Sequence, residues 1–173
     1  MNKDTALTYG NATWSEVDEN TLQMTGCRYS LDSTTTISDA SVKFTLSNNT
    51  GHIGTGGVLL RATKKDNNGI DAYLINYNIN SNYIQIYYMN NYYAKDGTAT
   101  ALTYLGGLVL KNYGITNVGT EFVVTIEGNK LYVNTTERQQ AGTADLLTVD
   151  LTKGGELAVY ESGYFGVLSW VSD

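Results

Sequence analysis

Glu121-Phe122-Val123-Val124-Thr125-Ile126-Glu127-Gly128-Asn129-Lys130-Leu131-Tyr132-Val133 is the stretch whose reading decides the fold. Phe122, Val124 and Ile126 share one side of an extended chain, because successive side chains of a strand point to opposite faces. Gly128-Asn129 supplies the left-handed backbone of a two-residue turn, and Leu131 and Val133 resume the same period on the way back. The segment predicts an antiparallel hairpin with one apolar face, and that face must be covered by another layer.

Working outward, the same period of two recurs with turn signals between the runs. Val42, Phe44 and Leu46 form one face, and Val58, Leu60 and Ala62 form another. Strict alternation would put Leu59, Arg61 and Thr63 on the side opposite Val58. Tyr73, Ile75, Tyr77 and Ile79 precede the turn residues Asn80-Ser81-Asn82, after which Ile84, Ile86 and Tyr88 restart the pattern, giving a second hairpin. Leu102 to Leu110 reads as a strand interrupted by Gly106-Gly107. Leu147, Val149 and Leu151, then Leu157 with Val159, and finally Phe165 to Val171 bring the total to roughly a dozen strands. No helical period, no repeat and no linker interrupts them, and proline is absent, so asparagine and glycine turns do the punctuation. The expectation is an all-β antiparallel sandwich of the jelly-roll type, one domain over residues 1–173.

Composition narrows the partners. Eleven basic residues against 17 acidic ones, with no basic cluster larger than Lys64-Lys65, leave no positive field for a phosphate backbone, so nucleic acid is not an expected partner. No stretch approaches the ~20 apolar residues that would span a bilayer, and membrane insertion is not expected. Cys27, the single cysteine, forms no internal disulfide and reads as a small core residue. The start Met1-Asn2-Lys3-Asp4-Thr5 has no charged segment followed by an apolar one, and the chain ends in mid-pattern. A monomeric module of a larger, secreted or surface-attached bacterial protein is expected, its targeting signal lying elsewhere.

The residue types of common catalytic machinery are sparse. His52 is the only histidine and no serine stands in a Gly-x-Ser-x-Gly elbow, so a solvated loop histidine is the plainer reading. A glycosidase needs two carboxylates across a cleft. Glu16, Asp18 and Glu19 come nearest, but Asp18-Glu19-Asn20 has turn chemistry, and no enzyme is expected. Asp66-Asn67-Asn68-Gly69-Ile70-Asp71 groups oxygen donors around a glycine. Asp66, Asn68 and Asp71 are therefore candidate ligands for a structural calcium, although an Asn-Gly turn explains the same residues and folding requires no cofactor.

Binding without chemistry suits the rest. A sugar ring offers an apolar face and a rim of hydroxyls, so its recognition needs an aromatic plane and a few fixed donors. Trp170, in Gly163-Tyr164-Phe165-Gly166-Val167-Leu168-Ser169-Trp170, supplies a plane, and Arg61 supplies a forked donor. The tyrosine-dense segment from Tyr73 to Tyr93 offers further rings, either as a stacking surface or, as strand propensity favours, packed across strands.

Gly56-Gly57-Val58-Leu59-Leu60-Arg61-Ala62, the Asn68-Gly69 step before Tyr73, the Phe122–Val133 hairpin and the glycine-framed run to Trp170 together resemble the concanavalin A-like, laminin-G-like carbohydrate-binding modules of levanases, family 66 among such modules. The resemblance runs loosely from Trp14 to Asp173. It implies a poly- or oligosaccharide partner, a fructan terminus such as that of levan or inulin, held by Arg61, Trp170, Tyr73 and acidic residues. The acidic position near Ser41 to Leu46 reads Val42-Lys43 and an insertion separates Gly69 from Tyr73, so Asp39 and Asp71 become the substitutes. An adhesin or structural sandwich is the second reading and a glycoside hydrolase the third, since one architecture hosts all three.

Overall fold

A computed structural model describes residues 6–18, 21–45, 55–78, 81–115 and 119–170, with side chains described from residue 29 to residue 169 of these. Eleven strands are described: β1 (Ala6–Asp18), β2 (Thr21–Ile37), β3 (Ala40–Thr45), β4 (Thr55–Lys64), β5 (Ile70–Asn78), β6 (Tyr83–Tyr92), β7 (Thr103–Val109), β8 (Glu121–Glu127), β9 (Lys130–Thr135), β10 (Leu147–Asp150) and β11 (Gly163–Trp170). All neighbours pair antiparallel. A seven-stranded sheet runs β1-β2-β11-β4-β5-β6-β7, and a four-stranded sheet runs β10-β9-β8-β3. The fold class is the expected antiparallel β-sandwich.

The deciding hairpin is β8–β9, with Glu127 opposite Lys130 and Gly128 at φ +53 in the turn. Its apolar face does what the alternation demands. Phe122, Val124, Ile126, Leu131 and Val133 are fully buried against Val58, Leu60, Tyr73, Ile75, Tyr77, Ile84 and Ile86 of the large sheet, and this is the core between the layers. At roughly 1.5–3 kcal/mol per buried large apolar side chain, burial in this interface holds the two sheets together. The far face of the large sheet carries a second, smaller cluster of Tyr29, Leu31, Leu59, Ala62, Leu74, Met89 and Leu168.

Three departures from the alternation have local causes. The β4–β5 register slips between Leu60 and Thr63, with Arg61 at φ +50, so β4 bulges. Ala62 therefore joins Leu59 on the far face rather than Val58 and Leu60, and Arg61 turns into the space between the sheets. Leu157 and Val159 form no strand: Asp150 caps a run of turns, accepting from the N–H groups of Thr152 and Gly154, while both apolar side chains still pack on the core. Thr136–Gln140 is a short helix, α1, capped by the Thr135 hydroxyl, which accepts from the Arg138 N–H. Leu46 and His52 lie outside the described residues, as do the side chains of Trp14, Glu16, Asp18, Cys27 and Trp170.

Candidate functional site

Arg61 is 2% exposed, and its guanidinium is committed to protein acceptors. Nε donates to the Ser38 carbonyl at 2.9 Å, one terminal nitrogen to the carbonyls of Gly128 at 2.9 Å and Tyr160 at 2.8 Å, and the other to Asp39 Oδ1 at 3.0 Å. The same Asp39 oxygen accepts from the Gly128 N–H at 2.9 Å. Arg61 thus ties the β8–β9 turn and the segment before β11 to the large sheet. A strand arginine needs a partner or a wet face, and here it has partners. Truncating Arg61 would leave these acceptors without their donors.

Tyr73 lies beside this tie and is fully buried. Its hydroxyl oxygen accepts from the Tyr160 N–H at 3.0 Å, and Tyr160 donates its own hydroxyl to the Met89 carbonyl at 2.8 Å. Tyr160 stacks on Tyr88 at 4.8 Å between centroids and tilts against Tyr73 at 5.4 Å. Burial pushes the Tyr73 phenol up, outweighing the bond from Tyr160 and the nearby Arg61 charge. Burial pushes Tyr160 up as well, helped by its bond with Tyr88 and by the charge on Asp71.

Asp71 is only 18% exposed; its Oδ1 meets Lys65 Nζ at 2.8 Å and accepts from the Asn91 N–H at 2.7 Å. Of the other candidate calcium ligands, Asp66 is exposed, and Asn68 takes a left-handed turn position at φ +65 with its carbonyl accepting from the Tyr29 hydroxyl at 3.4 Å. Among the described residues, no group of three or more His, Cys, Asp and Glu side chains is placed to hold a metal ion.

Arg61, Asp39 and Tyr73 are therefore brought together, with Asp71 near enough for its charge to act on Tyr160, but the backbone of Trp170 is not. Tyr164 pairs with Ala62 next to Arg61, whereas Trp170 pairs with Thr55 at the other end of the same strands. The six residue steps from Tyr164 to Trp170 span roughly 20 Å along the strand. Trp170 instead shares a cross-strand row with Thr55, Asn78, Tyr83 and Val109.

That row borders a feature the sequence reading did not single out. Tyr83, Gln85 and Tyr87 alternate with the buried Ile84, Ile86 and Tyr88 along β6, so they face away from the core. On β7 a bulge opposite Ile86 and Tyr87 leaves Leu105 and Gly106 turned inward, and Tyr104 and Gly107 beside one another on the far face. A Cβ on Gly107 would stand 3.0 Å from the Tyr104 hydroxyl and 2.6 Å from the Ile84 carbonyl oxygen, so only glycine leaves room there. Tyr83, Ile84, Gln85, Tyr104, Gly107, Leu108 and Val109 line an open trough of about 190 Å³. Tyr104 is 50% exposed and meets Tyr87 edge-on at 5.8 Å; the Tyr87 hydroxyl donates to Gln85 Oε1 at 2.8 Å. The signal was present as a tyrosine three residues before a glycine in a strand, but it looked like an interruption.

With the geometry in place, similarity to known proteins can be stated. No family model and no curated protein matches the sequence. Among solved structures, the carbohydrate binding module CBM66 from Bacillus subtilis aligns over 96% of this chain and 88% of its own, with a TM-score of 0.64 at 15% identity. The Bacillus licheniformis beta-glucanase aligns over 100% of this chain and 82% of its own, with a TM-score of 0.50 at 10% identity. The chain has the concanavalin A-like sandwich fold. At these identities the likeness concerns the fold and leaves the chemistry to the residues.

Proposed function

We propose that this chain is a non-catalytic carbohydrate-binding module, which holds a parent hydrolase or surface protein against a polysaccharide outside the cell. The observation that carries the reading is the sandwich shared over nearly the whole chain with a carbohydrate-binding module. The residues support it in kind, since half-exposed phenol rings beside amide groups suit the alternating apolar and hydroxylated surfaces of a sugar. The fructan terminus implied by the resemblance to levanase modules is the first ligand to try, with Trp170 as the proposed stacking ring. Arg61 and Tyr73 enter this proposal as supports, because their polar atoms already serve the protein.

The test is calorimetric titration of the native protein with levan, inulin and a panel of plant, host and microbial glycans, with and without chelator, alongside Trp170→Ala. Fructan binding that the substitution abolishes is the expected result. Binding of a different glycan keeps the module reading and replaces the sugar. Silence across the panel overturns it in favour of an adhesive or structural sandwich.

A further inference from the structure

The β6–β7 trough is lined without any carboxylate or basic side chain. None of its seven lining residues carries a charge, in a chain whose acidic residues outnumber its basic ones by 17 to 11. A charged ligand would find no ionic partner among these seven residues, whereas a neutral one needs none. The polar groups present are phenols and amides, which both donate and accept, as hydroxyl-rich ligands require. They are also held in place. Asn78 Nδ2 donates to the Tyr83 hydroxyl at 3.1 Å and to Thr55 Oγ1 at 3.2 Å, and Gln85 is fixed by Tyr87.

Shape selects among neutral ligands. At about 190 Å³ the trough falls below the roughly 300 Å³ at which pockets that engulf a small molecule begin, and it is open. It presents the side of a ring rather than a closed seat for a chain end. We propose that the β6–β7 trough is a glycan-contact site of its own, taking the flank of an uncharged polysaccharide chain on Tyr104, Tyr83 and Gln85. It rests on the carbohydrate-binding reading above, but it differs from end recognition around Trp170.

The experiment titrates native protein, Tyr104→Ala and Gln85→Ala with inulin oligosaccharides and linear neutral glucan oligosaccharides of increasing length, with free fructose and glucose as competitors. Tyr104 is half exposed, so its loss should leave the melting temperature unchanged. Affinity that rises with chain length, falls about five- to tenfold in Tyr104→Ala and is not displaced by the monosaccharides is the expected result, the drop matching loss of one ring contact. Native binding that both substitutions leave unchanged overturns the trough while sparing the module reading. Equal displacement by a monosaccharide overturns recognition of the chain flank. No binding of either series by the native protein overturns the trough, and the module reading falls with it only if the wider glycan panel is silent too.

Discussion

The guanidinium of Arg61 reaches three carbonyls and a carboxylate from a backbone conformation that costs a non-glycine residue about 1–3 kcal/mol. Arg61→Lys keeps the charge but not the fork, and leaves buried carbonyls without donors. We expect a loss of about 2–3 kcal/mol, seen as a lower urea midpoint at unchanged slope and a melting temperature reduced by roughly 5–10 °C. The buried phenols make a second prediction. Tyr73, Tyr77, Tyr87 and Tyr160 are all held above the ordinary value of 10.0, chiefly by burial. The unfolded chain therefore ionises these phenols before the folded chain does. Their contribution is complete below pH 10 and is lost as pH rises further, so the urea midpoint should fall between about pH 9 and about pH 11. A flat midpoint over that span would contradict the burial of these rings. At the acid end, Thr98 and Asn67 hold the Asp96 carboxyl down to about 2, and a carboxylate NMR titration should find it still ionised near pH 3.

Among the elements, the strands around β4 and β11 meet through glycines that leave no space. A Cβ on Gly57 would stand 1.9 Å from the Ile75 carbonyl oxygen, and one on Gly163 would stand 2.3 Å from the Arg61 carbonyl carbon. Both obstacles are backbone and cannot swing aside, so Gly57→Ala and Gly163→Ala should each destabilise by about 2–4 kcal/mol in chemical denaturation. Gly97→Ala, where open space surrounds the position, measures the milder cost of φ +82 alone. The same elements show what a sequence can disclose. The β8–β9 and β5–β6 hairpins were legible because their turns and apolar periods agree. The bulge at Arg61 was not, since the left-handed backbone there is set by four acceptors from distant segments and not by a glycine. The Leu157–Val159 run misled because burial alone produces alternation without a ladder.

For the whole molecule, two layers and their antiparallel order followed from pattern, and similarity to a carbohydrate-binding module agrees with them. The candidate site was legible only in part. Residue types suited to sugars could be named, but which of them share an end of a sheet depends on register, and register set Trp170 roughly 20 Å from Arg61. Among the described residues, the tyrosines divide by face: Tyr73, Tyr77 and Tyr88 serve the core, while Tyr83, Tyr87 and Tyr104 look outward.

The Arg61 tie also bears on time. Its acceptors lie 22 to 99 positions away along the chain, so it closes only after both sheets and the segment before β11 have assembled. Closing such long loops carries a large entropy cost, and we expect this tie to form after the rate-limiting barrier. Stopped-flow kinetics of Arg61→Lys should then show refolding close to native speed and unfolding faster by most of the lost stability, so that this one side chain governs how long the native sandwich lasts more than how quickly it forms.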